Sequence, residues 1–117
     1  MNKVWSDEAW NDYVYWQSQD KKTVKKINQL IKDIDANGHE GIGKPEPLKY
    51  ELHGFWSRRI DYVNRLVYRI ENGQIEIAQC KSHYEKAYLN SKFKYVFYIS
   101  SRDFYIYSLL IKIYDIV

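Results

Sequence analysis

The chain has 117 residues, of which 45% are hydrophobic and 28% charged, so its size and composition fit one small globular domain. The formal net charge of +3 permits a nucleic-acid partner without requiring one, and the single cysteine excludes an internal disulfide. No apolar stretch is long enough to span a bilayer, and the N-terminus lacks a secretory apolar segment. We therefore expect a cytoplasmic protein without a membrane partner.

The N-terminal third predicts one short strand and two helices. Residues 3–5 favour a strand, and Ser6 is a good N-cap because acidic residues follow it in the first turn. Asp20 opens a second helix, in which apolar residues recur at steps of three and four. That helix is predicted to end at Asn37-Gly38, and its lysines fall mostly on the face opposite the apolar stripe.

The rest of the first 84 residues predicts a loop and three strands. Residues 38–54 are rich in glycine, proline and charge, so no regular element is expected there. Strands are predicted at 56–62, 66–70 and 75–82, and the Asn72-Gly73 pair predicts a tight turn between the last two. The order β-α-α-β-β-β indicates an α+β fold, with one antiparallel sheet and two helices packed on one face.

The loop and strands carry polar groups that could form one site. They are the Glu46 carboxylate, the His83 imidazole, the Tyr84 ring and several cations, among them Arg58, Arg59 and Arg65. Adjacent strands lie about 4.8 Å apart, so these side chains can converge on one surface. Such a set suits cleavage of RNA through the ribose 2′-hydroxyl. A carboxylate can act as base, an imidazole as acid, guanidinium groups can stabilise the phosphorane, and a ring can stack on a base. No metal-ligand spacing occurs among the three histidines and one cysteine.

Each of these residues also has a purely structural interpretation. Glu46 lies between two prolines and is consistent with a solvated loop acid, and His83 is consistent with a structural histidine. Arg58 and Arg59 could pair with acidic residues such as Asp61 on the sheet surface, where ion pairs stabilise little. The residue pattern alone leaves these alternatives open.

Five segments of the chain closely resemble the YoeB toxins of bacterial toxin–antitoxin modules, a branch of the RelE-like superfamily. They are WSDEAWNDYVYW, DKKTVKKINQLIKDI, GKPEPLKYELHGFWSRRI, NRLVYRI and CKSHY. The resemblance covers residues 1–84 nearly without gaps, as one toxin domain. It implies a RelE-like, microbial-RNase-type fold and a ribosome-dependent messenger RNA endoribonuclease. Such an enzyme cleaves in the A site without metal or cofactor and thereby inhibits translation.

The resemblance also implies a role for each matched residue. Glu46 would be the general base and His83 the general acid, while Tyr84 would position the nucleotide. Arg65 would stabilise the scissile phosphate. The other basic residues expected to bind RNA or phosphate are Lys49, Arg58 and Arg59.

The partners implied by the resemblance are the ribosome with its messenger RNA and a small antitoxin of the YefM type. The C-terminal segment of such an antitoxin covers the toxin, and operator DNA is contacted only through the toxin–antitoxin complex. The resemblance also allows a homodimer.

Two features depart from the family pattern. A histidine often precedes the matched Arg65, and this chain has Asn64 there. YoeB-like chains typically end at the His-Tyr pair, whereas here a peptide bond to Glu85 removes the terminal carboxylate of Tyr84. Residues 85–117 are interpreted either as a translated extension past an ancestral stop or as a selected lid that mimics the antitoxin.

A second function remains open on the sequence alone. The chain could be a catalytically impaired YoeB-like binding module that sequesters antitoxin and takes part in autoregulation at operator DNA. Intact Glu46, Arg65 and His83 favour the enzyme, and the blocked end at Tyr84 favours the binding module.

Overall fold

The structure, a computed structural model, describes residues 1–82. The elements in chain order are β1 (Asn2–Trp5), α1 (Asp7–Gln19), α2 (Lys21–Asn37), β2 (Glu46–Pro47), a 3₁₀ helix (Tyr50–Leu52), β3 (Trp56–Arg59), β4 (Arg65–Glu71) and β5 (Gln74–Gln79). Within these described residues, five strands form one sheet in the order β1-β5-β4-β3-β2, and two helices pack on one face of it. The predicted α+β architecture is therefore confirmed.

The predicted helix ends are confirmed by their caps. The Ser6 hydroxyl accepts a hydrogen bond from the Ala9 amide at 3.0 Å, which satisfies an amide that the first turn of α1 leaves unpaired. The Asp20 carboxylate caps α2 in the same way by accepting from the Lys22 amide at 3.0 Å. Gly38 ends α2 with a φ of 65°, a left-handed value that glycine adopts without steric penalty.

The core lies between the two helices and the sheet. The apolar stripe of α2 is buried there, as its spacing predicts. Cys80 is also fully buried in this core, and burial raises the pKa of its thiol. The core side chains are Ala9, Ile27, Leu30, Ile31, Ile34, Ile60, Leu66, Tyr68, Ile75, Ile77 and Cys80.

The sheet differs from the prediction in its pairing and in its strand ends, since the strands predicted at 56–62 and 75–82 end at Arg59 and Gln79. It is mixed rather than antiparallel, because β1 pairs in parallel with β5, from Asn2 opposite Gln74 to Trp5 opposite Ile77. The predicted loop also contains β2, which pairs antiparallel with β3 and forms the edge of the sheet. The parallel pairing leaves no signal within β1, because its partner lies more than 70 residues along the chain. The two-residue β2 is defined only by its pairing with β3.

A β-bulge in β5 decides which face its last residues occupy. Tyr68 pairs with Ile77 whereas its neighbour Val67 pairs with Gln79, so Ala78 is an extra residue on β5. Side chains alternate along a strand, and the extra residue shifts that alternation by one. Ile77 therefore faces the helices, Gln79 lies on the opposite face, and Cys80 returns to the core.

Candidate active site

The face of the sheet opposite the helices carries several of the predicted site residues. Strand register places one residue from each of β2 to β5 in a single cross-strand row. Arg59 and Arg65 form the next row on that face, because they lie directly opposite each other on β3 and β4. We call this surface the site face. Its residues are Glu46, Ser57, Val67 and Gln79 in the first row, and Arg59 and Arg65 in the second.

Arg65 is oriented by the turn that precedes it. Its side chain is 4% exposed, and its Nη1 donates to the backbone carbonyls of Asp61 at 2.8 Å, Asn64 at 3.2 Å and Tyr62 at 3.3 Å. Directly opposite residues on neighbouring antiparallel strands have Cβ atoms about 4.5–5.5 Å apart, so the stems of Arg65 and Arg59 run close together. Two neighbouring guanidinium groups suit an anion with several oxygens, such as a phosphate.

The turn itself is held by Asp61 and Asn64. The Asp61 Oδ1 accepts from the amides of Val63 at 2.8 Å and Asn64 at 2.6 Å, and Asn64 Nδ2 donates back to Asp61 Oδ2 at 2.9 Å. The Asn64 Oδ1 then accepts from the amide of Ser82 at 2.8 Å. Asn64 therefore ties the turn that orients Arg65 to the residue that immediately precedes His83 in the sequence.

Glu46 lies on an edge strand rather than in an irregular loop. It pairs with Ser57 on β3, and its side chain is half-buried. The strand is anchored just beyond it, since the amide of buried Leu48 donates to the Phe55 carbonyl at 2.8 Å. Lys49 follows as an exposed residue at the start of the 3₁₀ helix. The carboxylate is thus carried by a paired backbone, which limits its movement relative to Arg59.

Arg58 lies on the helix side of the sheet, away from the site face. Its side chain is 0% exposed, and it forms an ion pair with Asp33 of α2 and donates from Nε to the Tyr68 hydroxyl at 3.2 Å. All five of its N–H groups are used. The remaining acceptors are the backbone carbonyls of Gly38 at 2.6 Å, Ile42 at 2.9 Å and Glu40 at 3.3 Å. The bond from Arg58 holds the pKa of Asp33 below its usual range.

These bonds give Arg58 a structural role in the loop that leads to Glu46. The loop runs against α2 so closely that a Cβ on Gly43 would lie 2.7 Å from Leu30 Cδ2. At Gly43 φ is 79°, and its carbonyl accepts from the Arg59 amide at 2.7 Å. A side chain at Gly43 would therefore push the loop away from the sheet.

The structure thus brings together three of the predicted site residues and separates a fourth. Glu46, Arg59 and Arg65 share the site face, and Arg58 lies behind it. His83, Tyr84 and the extension 85–117 lie outside the described residues. Gln79 also lies on this face, although no pattern in the sequence marks it as a site residue. Its position depends on the bulge in β5, for which the local sequence carries no signal.

Within residues 1–82, no group of three or more His, Cys, Asp or Glu side chains is placed to hold a metal ion. None of the helices in this range has the length and apolar character needed to cross a membrane.

Comparison with known proteins places the chain in one family. Residues 5–84 match the family model for the "YoeB-like toxin of bacterial type II toxin-antitoxin system". Toxin YoeB of Escherichia coli K12 is 56% identical over 84 residues, which are 72% of this chain and 100% of that protein. Among solved structures, the YoeB in the heterotetrameric YoeB–YefM complex of Staphylococcus aureus is 55% identical with a TM-score of 0.69. The match covers 72% of this chain and 98% of that YoeB chain. The YoeB dimer from the same organism is 55% identical to this chain with a TM-score of 0.68, and that match also covers 72% of this chain and 98% of the other.

Proposed function

Because this chain belongs to the YoeB-like toxins of bacterial type II toxin–antitoxin systems, we propose that it is an endoribonuclease that cleaves messenger RNA in the ribosomal A site. The observation that carries this proposal is the shared face of Glu46, Arg59 and Arg65 on three adjacent strands. A carboxylate beside two guanidinium groups provides a base next to a site for phosphate. Cleavage of ribosome-bound message would place the protein in the cytoplasm.

The proposed reaction is attack by a ribose 2′-oxygen on the adjacent phosphorus. Glu46 accepts the 2′-hydroxyl proton as the new oxygen–phosphorus bond forms. Arg65, with Arg59, balances the charge that develops on the phosphoryl oxygens. His83 donates a proton to the 5′-oxygen as its bond to phosphorus breaks, which leaves a 2′,3′-cyclic phosphate and a 5′-hydroxyl. Tyr84 positions the nucleotide, and Lys49 adds positive charge at the edge.

Several arrangements in the described residues support these assignments. The three carbonyl contacts of Arg65 fix its guanidinium before substrate arrives, so little reorganisation accompanies the reaction. The hydrogen bond from Ser82 to Asn64 fixes the approach of the chain to His83. We leave Arg58 out of the phosphate-binding set, since its five donors are all engaged behind the sheet.

The experiment that tests this function is single-turnover cleavage of a message on programmed ribosomes by the full-length chain. We expect Glu46→Gln, Arg65→Ala and His83→Gln each to lower the rate, by about 10²–10⁴-fold for the acid and base. Glu40→Gln is the matched control, because Glu40 is exposed in the loop. Protein treated with EDTA and then freed of chelator should cleave at the parental rate.

Two results would contradict the assignments. Cleavage by His83→Gln at the parental rate would remove His83 as the acid. Equal losses in Glu40→Gln and Glu46→Gln would show that the assay does not distinguish the site from the loop.

We also propose that an antitoxin of the YefM type neutralises the protein and that the chain forms a homodimer. The support is that relatives of known structure are described as a YoeB–YefM complex and as a YoeB dimer. A basic site face suits an acidic segment that folds on contact. Charge reversal at Arg59 and Arg65 together should abolish co-purification with a YefM-like protein. Unchanged co-purification would place the antitoxin elsewhere.

A further inference from the structure

Gln79 is a buried polar side chain whose amide nitrogen has no hydrogen-bond partner in the part of the chain that the structure describes. It is 3% exposed. Within residues 1–82, two buried side-chain nitrogens lack an acceptor, and they are Gln79 Nε2 and Arg59 Nε. Burial removes water from such a donor, and without a protein acceptor nothing compensates for that loss. An unsatisfied buried group of this kind in a folded protein calls for a physical explanation.

Both unpartnered donors belong to the site face. Gln79 ends the cross-strand row that begins with Glu46, and it lies opposite Val67, two residues along β4 from Arg65. Strands are spaced by about 4.8 Å, so the ends of that row are about 14 Å apart. Gln79 and Arg59 therefore lie on either side of β4, each beside the strand that carries Arg65.

The bulge in β5 is what brings Gln79 to this face. In a regular strand without the bulge, Gln79 would lie two residues beyond Ile77 and would face the helices with it. A bulge interrupts the ladder and is commonly found where a side chain must be re-aimed next to a functional site. Here it places a polar side chain on the site face that carries Arg65, rather than in the apolar core.

The chemistry of a carboxamide selects the kind of group that Gln79 can bind. It offers a donor and an acceptor side by side, and rotating the amide by half a turn only exchanges them. A phosphate presents acceptors alone and is suited to Arg59 and Arg65, whereas a nucleobase edge presents a donor beside an acceptor. Exposed base edges of single-stranded RNA are the usual targets of sequence-specific recognition.

We propose that Gln79 is a specificity-determining residue that hydrogen-bonds to the base edge of a message nucleotide bound on the site face. This inference rests on the proposed function and extends it to substrate choice. Because the amide nitrogen is already dehydrated, a base that fits both groups of the carboxamide satisfies that donor at little further desolvation cost. A base that does not fit leaves buried polar groups unpaired, which is the condition for strong rejection.

The test is cleavage of ribosome-bound messages randomised at the A-site codon, with all transcript ends mapped. Gln79→Met keeps the length of the side chain and removes both hydrogen-bonding groups. We expect it to change the ratio of rates between preferred and disfavoured codons by about tenfold, as for loss of one bidentate base contact. Gln74→Met is the matched control, because Gln74 is at the other end of the same strand, and its codon profile should equal the parental one.

A second measurement separates specificity from folding. Replacing a buried unpaired amide by an apolar group of similar shape is neutral or stabilising, so Gln79→Met should unfold at the same urea concentration as the parent or a higher one. An unchanged codon profile in Gln79→Met overturns the proposal, and so does a uniform loss of rate at all codons.

A third measurement does not depend on cleavage. The side-chain amide resonance of Gln79 in the full-length protein, assigned by its absence in Gln79→Met, is followed while the trinucleotides AAA, CCC, GGG and UUU are added. We expect saturable shifts whose half-saturation differs between bases. If the parent fails to cleave but these shifts occur, the proposed reaction fails and the base contact stands. If no trinucleotide moves the resonance, the base contact is wrong whatever the cleavage assay shows.

Discussion

Replacing Arg58 by methionine tests whether one buried guanidinium holds the loop that leads to Glu46. The substitution keeps an unbranched side chain in the core and removes five hydrogen bonds at once. It leaves the Asp33 carboxylate without its ion-pair partner and the Tyr68 hydroxyl without its bond to a charged donor. The Tyr68 hydroxyl is poorly solvated because the residue is buried, and this burial raises the pKa of Tyr68.

The expected loss in the free energy of unfolding depends on which of the groups left without a partner water can reach. Removing one partner of a buried ion pair destabilises a protein by about 3–5 kcal/mol. The Asp33 side chain is 16% exposed and keeps its bonds from Asn37 and the Ile42 amide, which points to the lower end. The three loop carbonyls belong to residues that are half-buried or exposed, so we expect water to replace the lost donors. We therefore expect a loss of about 3 kcal/mol, a large part of the 5–15 kcal/mol that is typical of a domain.

The assay is equilibrium unfolding of the full-length chain in urea, followed by tryptophan fluorescence. With a slope of about 1–3 kcal/mol per molar urea, a loss of about 3 kcal/mol moves the midpoint down by about 1–3 M. Arg69→Met is the matched control. Arg69 is on the same sheet and pairs with Glu76 and Glu71, but its side chain is 39% exposed, so its ion pairs should contribute little.

A midpoint in Arg58→Met that moves no further than in Arg69→Met would show that the buried guanidinium does not hold the loop. A second readout is the pKa of Asp33, which the Arg58 bond lowers and which should rise toward its ordinary value in the variant. Cleavage should also slow in Arg58→Met, because the loop that it holds runs directly into β2 and Glu46.

Three further predictions concern Asn64, Asp35 and the extension. Asn64→Ala removes the acceptor for the Ser82 amide, so we expect the maximal cleavage rate to fall at least about tenfold. The substrate concentration at half-saturation should not change, and a parental maximal rate would contradict this prediction. The hydrogen bond from Lys3, then that from the N-terminus, lowers the pKa of Asp35 from 3.8 to about 2. Its stabilising contribution is therefore complete above about pH 4 and lost as pH falls toward 2. An NMR titration midpoint near 3.8 for Asp35 would refute the contact, and Lys3→Met should raise it. Residues 1–84 alone should cleave faster than the full chain, since Glu85 places a negative charge two residues beyond His83; equal rates would show no occlusion.

The ends of the helices and the faces that they bury could be predicted from the sequence, because the signals for both are local. Ser6, Asp20 and Gly38 act on backbone groups within four residues, and the stripe along α2 repeats within single turns. The family resemblance named Glu46 and Arg65 as site residues, and the register of the strands places both on one face. Their assigned chemical roles stay predictions.

The environments of Arg58 and Arg59 could not be distinguished from the sequence. Adjacent residues of a strand must face opposite sides, but alternation alone does not say which side the helices cover. The structure puts Arg58 beneath α2 against Asp33 and leaves Arg59 on the site face. The same sequence pattern therefore contains one structural arginine and one candidate phosphate ligand.

Long-range pairing decided the remaining features. The parallel partner of β1 is more than 70 residues away in the chain, and β2 exists only because Glu46 and Pro47 meet β3. The bulge that places Gln79 on the site face is seen only in the register between β4 and β5. Helix caps and periodicity act over a few residues and are therefore written in the local sequence. Which strands meet, in which register and on which face, depends on packing the whole chain around one core, so only the tertiary structure decides it.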